Sequence, residues 1–485
     1  MSATFPHRHP APRLPTRLPT RLLAGLLSTL LAGCAAGALT HPPLDTPMPA
    51  GYSADNAQWQ HAQDWSAQPA GAWWQVFADP ELDALQQQLE AHNQSLAAQL
   101  AAYDQAQAAV RQAQASYWPA LNASLGDTRA RTATSAGVNE QASAEVTASW
   151  VPDLWGKVRE QVRAQRANAQ ASAATLRNVR LSLQATLAQS YLQLRVVDAQ
   201  QRLAQQAVDD TGKALELTQN RYRAGVATAA DVASARTAHL QAQTSLTDLG
   251  VTRAQLQNAI AVLVGQPPSG FQLAARDALP AIPAIPPGLP ADLLQRRPDI
   301  ATARAQVEAA NAQVGVAKSA WFPTLTLGGS AGHSATRLAD VFSAPVLLWS
   351  LGPQLAANLF DGGARRAQVR SSEAGYRQAV ANYRQAVLAA LQGVENQLAA
   401  QRILATEAEQ QAQVVQAAED ALRLAQNQYK AGLAPYLNVL TAQSTAINAR
   451  NAELTLRNRR YAAAVALVQA LGGEWQAPPG TPAAH

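Results

Sequence analysis

Cysteine is nearly absent from this chain of 485 residues, which contains only Cys34. A single cysteine excludes a disulfide within the chain, so stability must come from packing or from assembly. Downstream of Cys34 the chain also lacks any hydrophobic run approaching the roughly twenty residues that a membrane helix needs. Any part of the chain after Cys34 that crosses a membrane must therefore do so as strands.

Outside the N-terminal segment, the chain has no large excess of charge of either sign. The formal net charge is +5, but the first 33 residues hold Arg8, Arg13, Arg17 and Arg21 and no acid. Without these four, 34 basic groups face 33 acidic ones. Because the basic excess belongs to the first 33 residues, the charge gives no support to nucleic-acid binding.

Recognisable catalytic and metal-binding motifs are missing as well. The eight histidines show no H-E-x-x-H and no metal-ligand spacing, and there is no G-x-S-x-G and no P-loop. We therefore predict neither an enzyme nor a bound metal or cofactor. Two motifs could each be a binding site, but another interpretation is favoured for both. “FDGGARR” is interpreted as a strand-to-helix bend rather than a phosphate site. Arg296 and Arg297 are interpreted as a helix start with a packing role rather than an anion site.

The N-terminus carries a targeting signal. Arginines precede the apolar run “LLAGLLSTLLAG”, which is followed directly by Cys34. The “LAGC” that ends this stretch resembles the lipobox of bacterial lipoproteins, which implies cleavage before Cys34 and lipid, palmitate included, on that residue. Ala35 after the cysteine resembles the outer-membrane sorting pattern. The alternative is a plain signal peptide with a stray buried cysteine. Residues 1–33 are thus predicted to be the signal and 34–79 an extended anchor segment.

Hydrophobic spacing then switches between helical and strand periods. Asp79 is a plausible N-cap for the first helix, and Leu121, Ala123 and Leu125 alternate with polar residues as in a strand. This first repeat, 80–270, is predicted to contain a helix at 80–117, strands within about 119–153, a long helix at 156–222 and a shorter helix at 229–264.

The second half repeats this order. A Pro-rich connector at 271–291 leads into a second repeat at 292–473, and a tail follows at 474–485. The predicted elements of the second repeat are a helix ended by Pro323, strands within about 323–360, a long helix at about 364–430 and a shorter helix ending near Leu471. The chain is therefore predicted to be a tandem duplication.

One turn sequence occurs in both repeats. “RYRAGVATAADV” at 221–232 is matched by “QYKAGLAPYLNV” at 428–439, each with Tyr three residues before a glycine and Val seven after it. The glycines, Gly225 and Gly432, supply the permissive backbone that a tight connection between two helices needs. Both stretches are predicted to be helical-hairpin tips.

The number of strands predicts an assembly. Each strand is long enough to cross a bilayer, given a requirement of about nine to eleven residues. Four strands cannot close into a barrel, and an open edge in lipid leaves backbone groups unpaired. Two copies would supply eight strands, and three would supply twelve, which can leave a lumen. The alternative is an ordinary soluble β-meander packed on helices. An interfacial aromatic belt would be formed by Trp118, Trp150, Trp155 and Trp349.

Four motifs carry a family resemblance over nearly the whole mature chain. They are “WWQVFADPELDALQQQLEAHNQSL” at 73–96, “DLLQRRPDIATARAQVEAANAQVGVAKSAWFPTL” at 292–325, “NLFDGG” at 358–363 and the paired Tyr-x-x-Gly turns. On these motifs the chain resembles the TolC-like outer-membrane factors. It is most similar to the lipoprotein branch that serves tripartite efflux pumps of the resistance-nodulation-division class.

This resemblance implies the fold class and the partners. The fold would be mainly α with a transmembrane β part. A trimer of duplicated protomers would form a twelve-stranded outer-membrane β-barrel continuous with a twelve-column α-helical periplasmic tunnel. The partners would be two further copies, a periplasmic adaptor (membrane fusion) protein, an inner-membrane pump and outer-membrane lipid. The protein would be lipid-anchored at the periplasmic side of the outer membrane and span the periplasm.

The resemblance also points to an aperture where the hairpin tips converge, which in the family is closed by tip contacts and lined by acids. Asp231 matches the acidic tip residue of the first repeat, although Thr228-x-x-Asp231 is equally a capping-box pattern. The second repeat offers no acid at the matching places, so strong cation selectivity at the resting aperture is not predicted. The aperture candidates are Asp231, Arg221, Tyr222, Tyr429, Lys430, Asn438 and Thr441.

The basic aperture candidates have a second explanation. Arg221, Arg223 and Lys430 end long predicted helices, where a cation interacts favourably with the helix dipole. Helix stabilisation and bonding between the tips remain two open interpretations of these residues.

The function expected from these observations is a passive outer-membrane channel that exports drugs or other small toxic compounds. Within the same class, the alternative is a type I protein-secretion duct. An alternative of a different class is a periplasmic structural coiled-coil lipoprotein, which would lack four alternating segments with aromatic ends.

Cys34→Ala is expected to abolish labelling of the protein by radioactive palmitate, because it removes the only thiol of the chain. Labelling in cells followed by electrophoresis measures this, with the wild-type chain as the positive control. Undiminished label on the variant would contradict the lipobox interpretation. Trimers that remain in the outer membrane would be compatible with it.

Overall fold

The structure, a computed structural model, describes residues 72–131, 138–276, 278–283, 285, 296–343 and 347–473. The predicted signal, Cys34 and the tail 474–485 lie outside the described residues, as do most of the anchor segment and part of the connector. The described chain is mainly helical with four strands.

The duplication predicted from the sequence is confirmed, because each repeat has helix, two strands, long helix and shorter helix in the same order. The first repeat contains α1 (Pro80–His92), α2 (Gln94–Ala115), β1 (Ala120–Ala130), β2 (Asn139–Trp150), α3 (Lys157–Arg223) and α4 (Ala229–Leu263). The second contains α5 (Pro298–Ser319), β3 (Thr324–Ala335), β4 (Leu347–Ala356), α6 (Ala364–Lys430) and α7 (Tyr436–Ala470). Both long helices, α3 and α6, have 67 residues, and both returning helices, α4 and α7, have 35.

The first predicted helix is interrupted, which corrects the expectation of one helix over 80–117. Asn93 has an extended backbone between α1 and α2, and its Oδ1 accepts a hydrogen bond from the Leu96 amide. Its Nδ2 donates to the Leu263 carbonyl oxygen at 2.8 Å, at the C-terminal end of α4. The break thus satisfies a backbone carbonyl that the last turn of α4 leaves without a helical partner.

In the second repeat, Arg297 binds a carbonyl oxygen at the end of the shorter helix, as Asn93 does in the first. Its Nη1 donates to the Ala470 carbonyl oxygen at 2.6 Å, at the end of α7, and its Nη2 lies 2.6 Å from Asp299 Oδ2. These bonds confirm the packing role that the sequence favoured over an anion site.

The “FDGGARR” motif lies between β4 and α6, and the bend predicted there is confirmed. Gly362 and Gly363 both have positive φ, 60° and 93°, which glycine adopts without a steric penalty. Asp361 accepts hydrogen bonds from the Gly363 and Arg365 amides and forms an ion pair with the Arg365 guanidinium. The Arg365 bonds lower the pKa of Asp361 most, and the Gly363 amide adds to the effect.

The four strands form one antiparallel sheet in the order β1-β2-β3-β4, so that β1 and β4 are its edges. The β1–β2 register runs from Ala120 opposite Ser149 to Ala130 opposite Asn139. The β2–β3 and β3–β4 registers are equally continuous. Because side chains alternate between faces, this register assigns every strand residue to one of two surfaces.

The two faces of the sheet differ in chemistry. The apolar face consists of the odd-numbered residues of β1, β3 and β4 and the even-numbered residues of β2, including Leu121, Val146, Leu327 and Trp349. The polar face consists of the remaining strand residues and is built mainly of Ser, Thr, Gly, Asn and Gln. The alternation predicted from the sequence is therefore confirmed, and all four apolar rows lie on one side.

The four tryptophans expected at strand ends divide into two pairs. Trp118 and Trp349 are 75% and 72% exposed. Trp150 Nε1 donates to the Tyr117 carbonyl oxygen at 2.9 Å, and Trp155 stacks on Phe322 with ring centroids 5.1 Å apart. Trp118 and Trp349 are exposed, as the residues of an interfacial aromatic belt would be. Trp150 and Trp155 instead contact residues next to the ends of the strands.

Two compact units are formed by the described chain. One comprises Ala115–Gln161 and Ala312–Arg370 and holds the sheet; the other comprises the helical remainder and holds both hairpin tips. In the described part of the chain, none of the helices combines the length and apolar composition required of a membrane span.

A buried guanidinium organises the core of the helical unit. Arg195 on α3 is fully buried, and its Nη1 donates to Asp198 Oδ2 at 2.7 Å and to the Ala274 carbonyl oxygen at 2.8 Å. Its Nη2 donates to Glu81 Oε2 at 2.8 Å. One side chain thus joins α3, the first turn of α1 and the segment after α4.

Neighbouring polar groups extend this network. Arg253 on α4 donates to Asp198 Oδ1 at 2.8 Å and to the Leu273 carbonyl oxygen at 2.7 Å. The Tyr191 hydroxyl donates to Asp79 Oδ2 at 2.8 Å. Burial, reinforced by the bond to Asp79, raises the pKa of Tyr191 above its usual range, so the phenol stays neutral and keeps donating.

Arg195→Met is expected to lower the free energy of unfolding by about 3–5 kcal/mol, since it leaves the buried carboxylate of Asp198 without its closest cation. Thermal unfolding of the detergent-solubilised protein, followed by circular dichroism, measures the change against the wild type.

Arg129→Met is the matched control. Arg129 Nε lies 3.2 Å from Glu140 Oε1, but these side chains are 68% and 41% exposed. Its removal is expected to change the free energy of unfolding by less than about 1 kcal/mol. Equal losses in the two variants would contradict a special contribution of the Arg195 network.

Candidate functional site at the two hairpin tips

The first tip, residues 221–232, reverses the chain after α3. The Gly225 amide donates to the Tyr222 carbonyl oxygen and the Val226 amide donates to that of Arg221, both at 2.9 Å. Gly225 has φ 75°, and a side chain built there would meet no atom within 4 Å. Glycine is therefore required for its backbone conformation and not for space.

The second tip, residues 428–439, repeats this geometry bond for bond. The Gly432 amide donates to Tyr429 and the Leu433 amide donates to Gln428, at 3.0 and 2.9 Å. Gly432 has φ 74° and equally open surroundings. Gly225 and Gly432 thus occupy equivalent positions in two turns of the same geometry.

A capping box begins the helix that leaves the first tip. Asp231 Oδ2 accepts from the Thr228 amide at 2.9 Å and from the Thr228 hydroxyl at 2.8 Å. The Asp231 amide donates to Thr228 Oγ1 at 3.1 Å, which completes the box. The hydrogen bonds from Thr228 lower the pKa of Asp231, and the Arg221 charge adds a smaller effect of the same sign.

The second tip has no such box. Pro435 occupies the N-cap position of α7 and makes no side-chain cap. The Asn438 amide donates to the Pro435 carbonyl oxygen at 3.2 Å. The Thr441 hydroxyl donates to the Leu437 carbonyl oxygen at 3.0 Å, one turn earlier in the same helix. At the positions that match Asp231 and its surroundings, the second tip is therefore uncharged.

The two tips contact each other through Arg221 and Tyr429. The Arg221 guanidinium carbon lies 4.5 Å from the centre of the Tyr429 ring, a distance suited to a cation–π interaction. Tyr429 in turn lies 5.3 Å from Tyr436, between ring centroids. The end of α3 is thereby joined to both helices of the second tip.

An apolar cluster supports this contact, and we call it the tip cluster. It consists of the buried residues Ala235, Tyr429, Tyr436 and Val439. Burial raises the pKa of Tyr436 to about 12, so the phenol is neutral at physiological pH. All four helices of the tips contribute to the packing, because Leu215 of α3 and Leu422 of α6 pack against the cluster.

The remaining aperture candidates are not brought into this contact. Tyr222 is 50% exposed, and Lys430, Asn438 and Thr441 are also exposed. Lys430 ends α6 where its charge interacts favourably with the helix dipole. The structure thus brings together Arg221, Tyr429 and, more weakly, Asp231.

Tyr436 is a tip residue that sequence reasoning missed. Its counterpart in the first repeat is Ala229, which has no ring, so comparison of the two copies drew attention away from it. The spacing Tyr429-x6-Tyr436, spanning the glycine turn, is the signal that would have identified it, because two rings this close across a hairpin can pack together.

Asp231→Ala is expected to speed amide hydrogen exchange in the first turn of α4 about fivefold, since it removes the two hydrogen bonds that Asp231 Oδ2 accepts from the N-cap residue Thr228, and weakening a helix cap costs about 1 kcal/mol. Because the folded state lowers the carboxyl pKa below its ordinary 3.8, the cap is complete above that pH. It is lost as the pH falls through the lowered pKa, where wild type and variant should converge.

Asn438→Ala is the control at the matching position of the second tip, where no side-chain cap exists. Its exchange rates at the start of α7 should stay within twofold of the wild type, about the scatter of an exposed substitution. Equal acceleration in the two tips would contradict a specific cap at Asp231.

Known proteins resemble this chain over most of its length. The family model “Outer membrane efflux protein” matches residues 85–266 and 289–473. The chain is 36% identical over 447 residues to the pyoverdine export outer membrane protein OpmQ of Pseudomonas aeruginosa, covering 89% of this chain and 93% of that one. It is 30% identical over 411 residues to the probable efflux pump outer membrane protein TtgC of Pseudomonas putida, covering 83% and 85%.

A solved structure extends the likeness to three dimensions. The outer membrane protein VceC of Vibrio cholerae superposes with a TM-score of 0.74 at 30% identity, covering 84% of this chain and all of that one. Family model, relatives and fold together establish an efflux channel that is located in the outer membrane and spans the periplasm. The chain belongs to the outer membrane efflux protein family.

Proposed function

We propose that three copies of this chain form the passive exit duct of a tripartite efflux pump. Small molecules would be passed on by an inner-membrane pump through a periplasmic adaptor protein and leave through the duct. The chain itself would catalyse no reaction, and the pump would supply the energy. A lipid on Cys34 would hold the mature N-terminus at the periplasmic side of the outer membrane.

The main observation in support of a trimer is that the sheet has an apolar face and two edges, β1 and β4. In lipid, an unpaired edge leaves amide and carbonyl groups without hydrogen bonds at several kcal/mol each. Pairing of β4 of one copy with β1 of the next removes both edges. Three copies give twelve strands, enough for a lumen, whereas eight strands fill their interior with side chains.

The cargo is proposed from the relatives. OpmQ is named for export of pyoverdine, ArpC for antibiotic efflux and a TtgC for toluene efflux. These names support small-molecule efflux over the type I protein-secretion alternative. The four-stranded sheet disfavours the other alternative, a periplasmic coiled-coil lipoprotein, which would lack such strands.

The gate is proposed from the contacts between the tips. Arg221 and Tyr429 join the two hairpins of one protomer, and six such hairpins would form the rim of the duct. Outward movement of the first tip would have to break this cation–π interaction and pull the end of α3 away from the tip cluster. The rim would carry acidic charge from one repeat only, because the second repeat has Asn438 at the position of Asp231.

Arg221→Ala is expected to favour the open state by about two- to fivefold per copy, the equivalent of a partly exposed cation–π interaction. Asp231→Ala should also raise single-channel conductance, because it weakens the first-tip cap and removes its charge. Planar-bilayer recording of the purified trimer measures conductance, and antibiotic influx into cells gives a second readout.

Thr228→Ala separates the two contributions of Asp231, since it weakens the cap but keeps the carboxylate. A conductance increase shared by Thr228→Ala and Asp231→Ala assigns the effect to the cap. An increase in Asp231→Ala alone assigns it to the charge. Wild-type conductance in both Asp231→Ala and Arg221→Ala would refute the proposed gate and leave these residues with structural roles only.

A purified chain that is monomeric without detergent would refute the trimer.

A further inference from the structure

A single charged side chain lies on the polar face of the sheet. The strand residues of this face are neutral in all four strands, except for Glu145 of β2. The register places Glu145 opposite Ser124 of β1 on one side and Gly332 of β3 on the other. The carboxylate therefore lies in the interior of the sheet and not on an edge strand.

The surroundings of Glu145 leave its charge uncompensated. Its neighbours along the two adjacent strands on the same face, such as Gly126 and Ser330, are small and neutral. Within the described ranges of the chain, no residue donates a hydrogen bond to the Glu145 carboxylate or forms an ion pair with it.

At Gly332 the backbones of β2 and β3 approach closely, and no side chain lies opposite the glutamate. A Cβ added at Gly332 would lie 2.4 Å from the Ala144 carbonyl oxygen and 2.8 Å from Glu145 Cα. Real Cβ atoms do not approach other atoms so closely, so only glycine fits opposite Glu145 without a shift of the backbone. The polar face thus combines a charge with a neighbour that cannot cover it.

The other charges of the strands are arranged differently. Asp127, Arg129 and Glu140 belong to the opposite face and lie near the β1–β2 connection. Arg129 and Glu140 form an ion pair at 3.2 Å, which cancels their charges locally. Glu145 is thus distinguished from these residues by its face and by the lack of a described partner.

We infer that Glu145 determines charge selectivity in the membrane part of the duct, favouring cations and cationic cargo over anions. The inference rests on the proposed trimer, in which the apolar face meets lipid and the polar face lines the aqueous passage. Symmetry then places three Glu145 carboxylates at one level. Low-dielectric walls concentrate the field of like charges in a narrow aqueous passage and raise the local concentration of counter-ions.

Reversal potentials across planar bilayers in a potassium chloride gradient test this role. Glu145→Gln should lower the ratio of potassium to chloride permeability by about two- to tenfold at physiological salt, as expected for removing several partly screened charges. Glu145→Asp keeps the charge and should retain the wild-type ratio. Each measurement is repeated in an Asp231→Asn background, so that the charge at the tips does not mask the effect.

Glu140→Gln is the matched control, since it makes the same change in the same strand on the other face. Its permeability ratio should equal that of the wild type. An unchanged ratio in Glu145→Gln, in both backgrounds and with channels that conduct, would overturn the inference while leaving the duct intact. An equal change in Glu140→Gln would also overturn it, because the face would then not matter. A wild-type protein that forms no channels would overturn the proposed function on which the inference rests.

Discussion

Equal helix lengths in the two repeats are the constraint on which the tip site depends. Each repeat places 67 helical residues before its tip and 35 after it. An α-helix rises about 1.5 Å and turns about 100° per residue. One inserted residue in either long helix would therefore shift and rotate its tip, and Arg221 would no longer lie over the Tyr429 ring. The duplication preserves this length, and the contact between the tips follows from it.

Within that shared frame the two tips have acquired different chemistry. The glycine turns are the same in backbone and hydrogen bonds, because both must end a helix and start another within a few residues. The caps differ: Thr228 and Asp231 form a charged box, whereas Pro435 limits the backbone by its ring and adds no side-chain bond. The aromatic pair Tyr429 and Tyr436 belongs to the second tip alone. The first repeat thus supplies the charged side chain of Arg221, and the second supplies the aromatic ring of Tyr429 on which it packs.

Much of the fold could be predicted because it depends on local spacing. Apolar period, capping residues and glycine turns located the long helices to within a residue and identified the box at Thr228 and Asp231. The break at Asn93 could not be predicted, because its cause is a hydrogen bond to Leu263, which is distant in sequence. The Arg195 network was missed for the same reason: its partners come from three separate segments.

The sequence by itself determined the duplication, the alternating strands, the absence of a second acidic tip residue and the family. These properties are local patterns, set by residue type and by the periods of helix and strand. Tertiary structure alone decided that Arg221 lies over Tyr429, that Tyr436 is buried beside it, and that Glu145 is the one charge on the polar face of the described strands. Each of these depends on the register or packing of segments that are distant in the chain. Even Tyr436, whose spacing from Tyr429 is local, is buried in a cluster that Ala235 and Leu215 of the first tip complete.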